Sequence, residues 1–384
     1  MSITRRIFGM QNAAGFVLNA ALSLVAIALL CLPATAQFSS NGTLYTVTNL
    51  NSDITSAATN LDPNLVNPWG LVASGGSPWW VSDNNSGLST LYDGAGVTQG
   101  LVVTIPAWNG PTGGVPDGIV FNSTTDFQLV TGKQAIFIFA TEDGTISGWN
   151  PGVDPTNAVI KVNNWPVAVY KGLALASAGG ANYLYAANFR AATVDVFDAS
   201  FNPHSFGSNA FVDNTIPVGY APFNVANING NIFVTYALQD DAKHDDVSGP
   251  GHGYVDEYDS QGNLLMRLPH LFALNSPWAV VLAPSTGFGT LSGKLLVGNF
   301  GSGAVVGFDL AHNGAFQGEM LDSSGLPLRI GGLWGLAFGN GAKAGPVNSL
   351  YFTAGSFGES HGIFGSITVP STGSVHTQRL NGKR

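Results

Sequence analysis

The stretch VNPWGLVAS, Val66–Ser74, decides the fold of this chain. Proline fixes its own φ and cannot donate a backbone hydrogen bond, so a Pro-aromatic pair ahead of a short apolar run marks a strand leaving a tight turn. The same phrase returns as SPWAVVLAP (Ser276–Pro284), APFNVANI (Ala221–Ile228) and GLWGLAFGN (Gly332–Asn340). Aligning the residues that open each such run gives Trp69, Asp117, Lys171, Phe223, Trp278 and Trp334. Their intervals are roughly 48 to 56 residues, the size of four short strands with their turns.

Each unit carries two further landmarks. A near-continuous apolar run ends in a small or polar residue: WWVSD (Trp79–Asp83), IFIFATED (Ile136–Asp143), YLYAANF (Tyr183–Phe189), IFVTYA (Ile232–Ala237), LLVGNF (Leu295–Phe300) and LYFTAG (Leu350–Gly355). Runs of that length and character read as strands buried on both faces. A third strand then closes on an aromatic and an acid or amide, as in LYDG, GWNPG, VFDAS, EYDSQG and GFDLA. Asp and Asn bond their local backbone there, and glycine accepts positive φ. Six four-stranded units predict an all-β, six-bladed β-propeller. The sixth unit ends at its third strand, IFGSITV (Ile363–Val369), so Thr43–Leu50 is expected to supply the missing outer strand.

Composition agrees with this reading. Fifty glycines in 384 residues is about twice the usual share and suits many tight turns. Hydrophobic residues make up 45% and charged residues 10%. A formal net charge of −9 makes nucleic acid an unsuitable partner. Arg5 and Arg6, an apolar segment around Ala20–Leu32 and the small-residue site at Ala34–Ala36 read as an export signal over residues 1–36, by the twin-arginine or the general secretory route. The expected location is therefore periplasmic or extracellular, with one propeller domain over 37–369 and a loose tail over 370–384. Cys31, the single cysteine, falls inside the leader, so no disulfide is expected beyond it. No later apolar run is long enough for a transmembrane anchor, and a monomer is expected.

The Pro-x-Gly openings, buried second strands and aromatic-Asp turns resemble the repeats of NHL and SMP-30/gluconolactonase-like propellers. The phrases DPNLVNPWGL, STLYDG, FATEDGTISGWNP, YAPFNV, KHDDV, LLVGNFG and GLWGLAFGNG resemble more closely an uncharacterised family of exported bacterial six-bladed propellers. Some members of that family carry an exosortase-type C-terminal sorting signal, whose apolar segment and basic tail this chain lacks. In the SMP-30-like lactonases the strand starts supply acidic and amide ligands to a divalent metal. Only Asp117 matches in type here, since tryptophan cannot ligate a metal and Lys171 would repel one.

The first strand of each propeller blade lines the central channel, which places the six aligned residues around one mouth. Trp69, Phe223, Trp278 and Trp334 would form an aromatic funnel able to stack a flat or sugar-like ligand, or else fill the channel, with Asp117 and Lys171 as polar handles. Glu142, Asn188 and Asn299, at the ends of second strands, face the same mouth. The loop LQDDAKHDDVSGPGHG, Leu238–Gly253, adds Asp240, Asp241, His244, Asp245, Asp246 and His252, a set able to bind Ca²⁺ or another divalent metal, although without the spacing of an EF-hand. Gly358–Gly362 matches a Gly-x-Ser-x-Gly elbow but sits between strands, where that motif has no meaning. The expected role is a binding module for a small molecule, glycan or protein at the channel mouth. A metal-assisted hydrolase or lactonase using Asp117, Glu142, Asn188 and His244 is one alternative, and a structural surface or matrix protein is another.

Overall fold

A computed structural model describes residues 42–370, and the expected leader and, beyond Pro370, the expected tail lie outside them. Six antiparallel sheets succeed one another along the chain, each ordered from an innermost to an outermost strand. Blade 1 is Pro68–Val72, Trp79–Asp83, Leu88–Tyr92 and Val103–Thr104, and blade 2 is Pro116–Phe121, Phe137–Thr141, Thr145–Trp149 and Val159–Asn163. Blade 3 is Tyr170–Ala178, Ala181–Asn188, Thr193–Phe197 and Pro203–His204, and blade 4 is Tyr220–Ile228, Asn231–Leu238, Gly253–Tyr258 and Leu264–Arg267. Blade 5 is Pro277–Leu282, Leu295–Asn299, Val305–Asp309 and Ala315–Glu319. The architecture is the six-bladed propeller that the repeat spacing predicts.

Blade 6 contains Leu333–Phe338, Leu350–Gly355 and His361–Thr368, and the chain's first strand completes it. That strand runs Thr46–Ser52 and pairs antiparallel with the last, from Thr46 opposite Thr368 to Ser52 opposite Ile363. It starts three residues later than the expected Thr43 because the preceding residues are engaged elsewhere. Leu44 bridges to Leu321, and the buried ring of Tyr45 packs 5.1 Å from Phe288. Asn60–Leu61 adds an unforeseen fifth, parallel strand through Asn51 and Asn60.

Each hydrophobic cluster bridges neighbouring blades, as the flat faces of stacked sheets require. Trp80 of blade 1, for example, stacks on Phe137 of blade 2 at 4.0 Å. At the hub the innermost strands come too close for a side chain. A Cβ on Gly70 would lie 2.4 Å from the Asp117 carbonyl, and one on Gly335 would lie 2.6 Å from the Trp69 carbonyl. Glycine follows the aligned residue at four of the six positions, Gly70, Gly118, Gly172 and Gly335, and there lets neighbouring innermost strands pack closely.

Candidate functional site

The six aligned residues do share one end of the ring, at the start of the innermost strands, but the aromatic ones do not form an open funnel. Trp69, Phe223, Trp278 and Trp334 are all buried. Trp69 stacks on Trp334 at 3.4 Å, and Phe300 covers the ring of Trp334 at 3.9 Å. Trp278 meets the same pair edge-on at 5.9 and 6.0 Å, and Phe223 at 6.3 and 5.9 Å. The stacking faces are spent on one another, so the expected funnel is a plug across the channel. Burying rings of this size in edge and stacked contacts stabilises the hub itself.

Over that plug lies a polar network drawn from five blades. The buried ammonium of Lys171, blade 3, is 4.9 Å from the centroid of the Trp69 ring and pairs with Glu142 Oε1 of blade 2. Its Nζ is also 3.5 Å from Asp245 Oδ1 of blade 4, an oxygen that lies 2.9 Å from His244 Nδ1. Asn84 of blade 1 donates through Nδ2 to Asp117 Oδ1 at 2.6 Å and to Glu142 Oε2 at 3.0 Å. Asn67 accepts from Trp334 Nε1 at 3.2 Å and turns its own Nδ2 toward Glu359 Oε1 of blade 6 at 3.3 Å. Glu142 and Asp245 thus reach one ammonium, and Asp117 and Glu359 join the network through Asn84 and Asn67.

Their protonation follows from burial and from one another. Burial, reinforced by the charge of Glu142, pushes Asp117 well above its ordinary 3.8, and Asp117 Oδ2 has no hydrogen-bond partner. Burial likewise raises Glu359 above 4.5, against the amide of Asn67. Burial acts to lower Lys171, but the carboxylates of Glu142, Asp117 and Asp245 overcome it and raise the ammonium above 10.5. The contact with Asp245 raises His244, and the same contact lowers Asp245 to about 2. Asp245 is 66% exposed, so the network ends in a charged carboxylate at the surface.

Five of the twelve non-glycine residues with positive φ among the described residues lie on the loops that hold these groups. Asn67 (φ 49°), Lys243 (φ 53°), Ser276 (φ 46°), Phe357 (φ 54°) and Glu359 (φ 66°) all lie in the left-handed region. For residues with a Cβ this costs on the order of 1–3 kcal/mol each and persists only where the surroundings over-determine it. Asn67 and Ser276 also precede prolines, which disfavour that region's compact turn.

The remaining expected site residues are placed elsewhere. Asn188 accepts from Val169 and Ala191 amides and donates to Asp195 at 3.0 Å, so it caps its own strand end. Asn299 does the same for Asn275 N, Val297 O and Ala304 O. In the Leu238–Gly253 loop, Asp240 accepts from the His244 and Asp245 amides, Asp246 takes the Ser248 and Ser276 hydroxyls, and His252 Nδ1 is 2.8 Å from Val247 O. Asp241 is exposed. The expected six-residue metal set is therefore not assembled. What converges is Glu142, His244 and Asp245, with ligand atoms within 4.8 Å of one another. Lys171 already holds the Glu142 and Asp245 oxygens of that set, and a divalent ion would have to displace the ammonium to reach them. The donor set does not fit a resident metal while Lys171 is in place. Asn188 does not join Asp117, Glu142 and His244, so the four-residue hydrolytic set is not gathered either. Ser360 donates to Phe357 O inside a strand-to-strand turn, as expected for a chance Gly-x-Ser-x-Gly match.

A cavity of about 570 Å³ lies on the other side of the plug, along the channel between Leu71, Ile119, Leu173, Val225, Val280 and Leu336. No titratable side chain lines it.

No protein-family model matches the chain. Among solved structures it is similar to a streptogramin B lyase, at 9% identity and a TM-score of 0.49 over 85% of this chain and 98% of that one. It is also similar to a luciferin-regenerating enzyme, at 13% identity and a TM-score of 0.47 over 88% and 94%. Neither likeness bears on activity. Two proteins of Acanthamoeba polyphaga mimivirus are nearer in sequence. Uncharacterized protein R648 is 34% identical over 338 residues, covering 85% of this chain and 80% of its own length. Uncharacterized protein L690 is 33% identical over 335 residues, covering 84% of each. This chain, with its plugged hub and acidic mouth, belongs to the same protein family as those two mimivirus proteins.

Proposed function

We propose that this protein is a binding module whose mouth receives a positively charged group, an amine or guanidinium, at the outer edge of the Lys171 network. The observation that carries the reading is the exposed acidic edge of this network. Lys171 pairs with Glu142 and reaches Asp245; Asp117 and Glu359 lie in the same network with their pKa values raised by burial; and Asp245, held at about 2, presents its charge to solvent. A cation arriving at Asp245 and Glu359 would complete the network, and its field would be screened less than at an open surface. The strained loops favour a preformed site. The leader pattern at Arg5, Arg6 and Ala34–Ala36 supports placing the module outside the cytoplasm.

A ligand that binds only the native state must raise the melting temperature with concentration. Spermidine and arginine amide are expected to do so, and citrate is not. The absence of a concentration-dependent rise with either amine at low ionic strength would refute the proposal. A second reading, metal-assisted hydrolysis at Glu142, His244 and Asp245, would require an ion to displace Lys171 from that set. Saturable stabilisation of the unaltered protein by Ca²⁺, Zn²⁺ or Mn²⁺, with none by amines, would favour it.

A further inference from the structure

Resting on the cationic-ligand reading, we infer that the mouth face is a docking surface for another protein, which inserts a basic side chain into the acidic network and lays apolar residues on the rim around it. Among the described residues the exposed Phe and Trp side chains are Trp108, Trp165, Phe272, Phe316 and Phe357. Four of the five sit on mouth-side connections, and Phe316 is on an outermost strand. The connections at the opposite face carry, among large exposed apolar residues, only Val97, Val130 and Val347. Exposed aromatics concentrated on one face are what a hot-spot surface presents.

Three of these rings are tied to the loops that carry the charges. Phe272 is 85% exposed, and its carbonyl accepts from Gly251 N, at the end of the loop bearing His244 and Asp245. Phe357 is 77% exposed and lies two residues before Glu359 in the same strained turn. Trp108 donates its backbone N–H to Asp143 Oδ2 at 2.8 Å, next to Glu142, and stacks on Trp165 at 4.6 Å. The acidic centre and the apolar rim are thus parts of one set of loops, spread across blades 2, 4, 5 and 6. Such a span suits an extended polypeptide better than a single small amine.

Charge complementarity selects the partner. A second copy of this chain, at −9, would bring like charge to like, and an anionic lipid surface would meet the same repulsion. A segment with Arg or Lys flanked by aromatic or aliphatic residues meets both requirements.

The test uses a phage-displayed random peptide library selected on the full chain, with spermidine as the free cation. Enriched peptides are expected to carry a basic residue beside apolar ones. Their affinity should fall at least about tenfold with Phe272→Ser or Phe357→Ser, whereas spermidine binding stays unchanged in those variants. Asp245→Asn should weaken both probes. Both aromatic positions are exposed, and an unaltered melting temperature confirms folding. Enrichment without basic residues, no enrichment at all, or rim variants that bind the peptides as the wild type does, would each overturn the protein partner while leaving the mouth reading standing. Loss of spermidine binding in the wild type would instead remove the mouth reading.

Discussion

The Lys171 ammonium lies 4.9 Å from the centroid of the Trp69 ring, on the outer surface of the aromatic plug. It joins the apolar hub to the acidic mouth, pairing with Glu142 and reaching Asp245, which His244 also contacts. Removing one partner of a buried pair leaves the other charge uncompensated, at a cost of about 3–5 kcal/mol. Lys171→Met should therefore lower stability by that order in urea unfolding. It should also free Glu142, His244 and Asp245, whose ligand atoms are within 4.8 Å, so that Mn²⁺ or Zn²⁺ raises the melting temperature of the variant but not of the wild type. Equal metal response in both proteins would contradict the assignment of Lys171 as the built-in cation.

Stability should depend on pH with two limbs. Burial raises Asp83 and Asp117 above 3.8, and the Asp245 contact raises His244 above 6.5. A raised folded-state pKa means the native protein holds the proton more tightly, so the contribution is complete below the ordinary value and is lost as pH climbs through the folded value. Asp245, held at about 2, has the opposite sign: its contribution is complete above 3.8 and is lost as pH falls toward 2. The melting temperature is expected to peak in mild acid and decline toward neutral and alkaline pH. Asp117→Asn, which keeps the neutral form at every pH, should flatten the upper limb in calorimetry. A wild-type melting temperature that climbs steadily from mild acid to pH 8 would contradict this.

The hub glycines make a steric prediction. A Cβ on Gly172 would sit 2.5 Å from the Asn224 Cα, whereas one on Gly75 meets nothing within 4 Å. Gly172→Ala should cost about 1–3 kcal/mol as an overpacked backbone contact, and Gly75→Ala should stay within about 0.5 kcal/mol of the wild type. Chemical denaturation of the pair measures the contrast.

How much of this was legible in the sequence depends on whether a feature belongs to one repeat or to several. The strand starts at Trp69, Phe223, Trp278 and Trp334 recur in register, so the blade count and the borrowed first strand could be read directly. That the tryptophan faces would meet could not, because it depends on the hub radius set by Gly70, Gly172 and Gly335 across blades. Asn67 and Asn84 carry no motif: contact between neighbouring blades brings Asn84 to Asp117 and Glu142, and closure of blade 6 on blade 1 brings Asn67 to Glu359. One signal was available: Asn84 and Glu142 occupy the same place, just past the second strand of their blades. The Leu238–Gly253 loop was found, but which of its six candidate ligands face the mouth is fixed by local turns at Asp240 and Asp246.

The central claim, an acidic mouth that takes a cationic group, is tested most directly by isothermal titration of spermidine into the wild type and into the Asp245→Asn, Glu359→Gln double variant at low ionic strength. The account predicts saturable binding to the wild type that weakens with added salt and is abolished in the double variant, whose fold is confirmed by circular dichroism. No binding heat in the wild type, or equal affinity in both proteins, would contradict it.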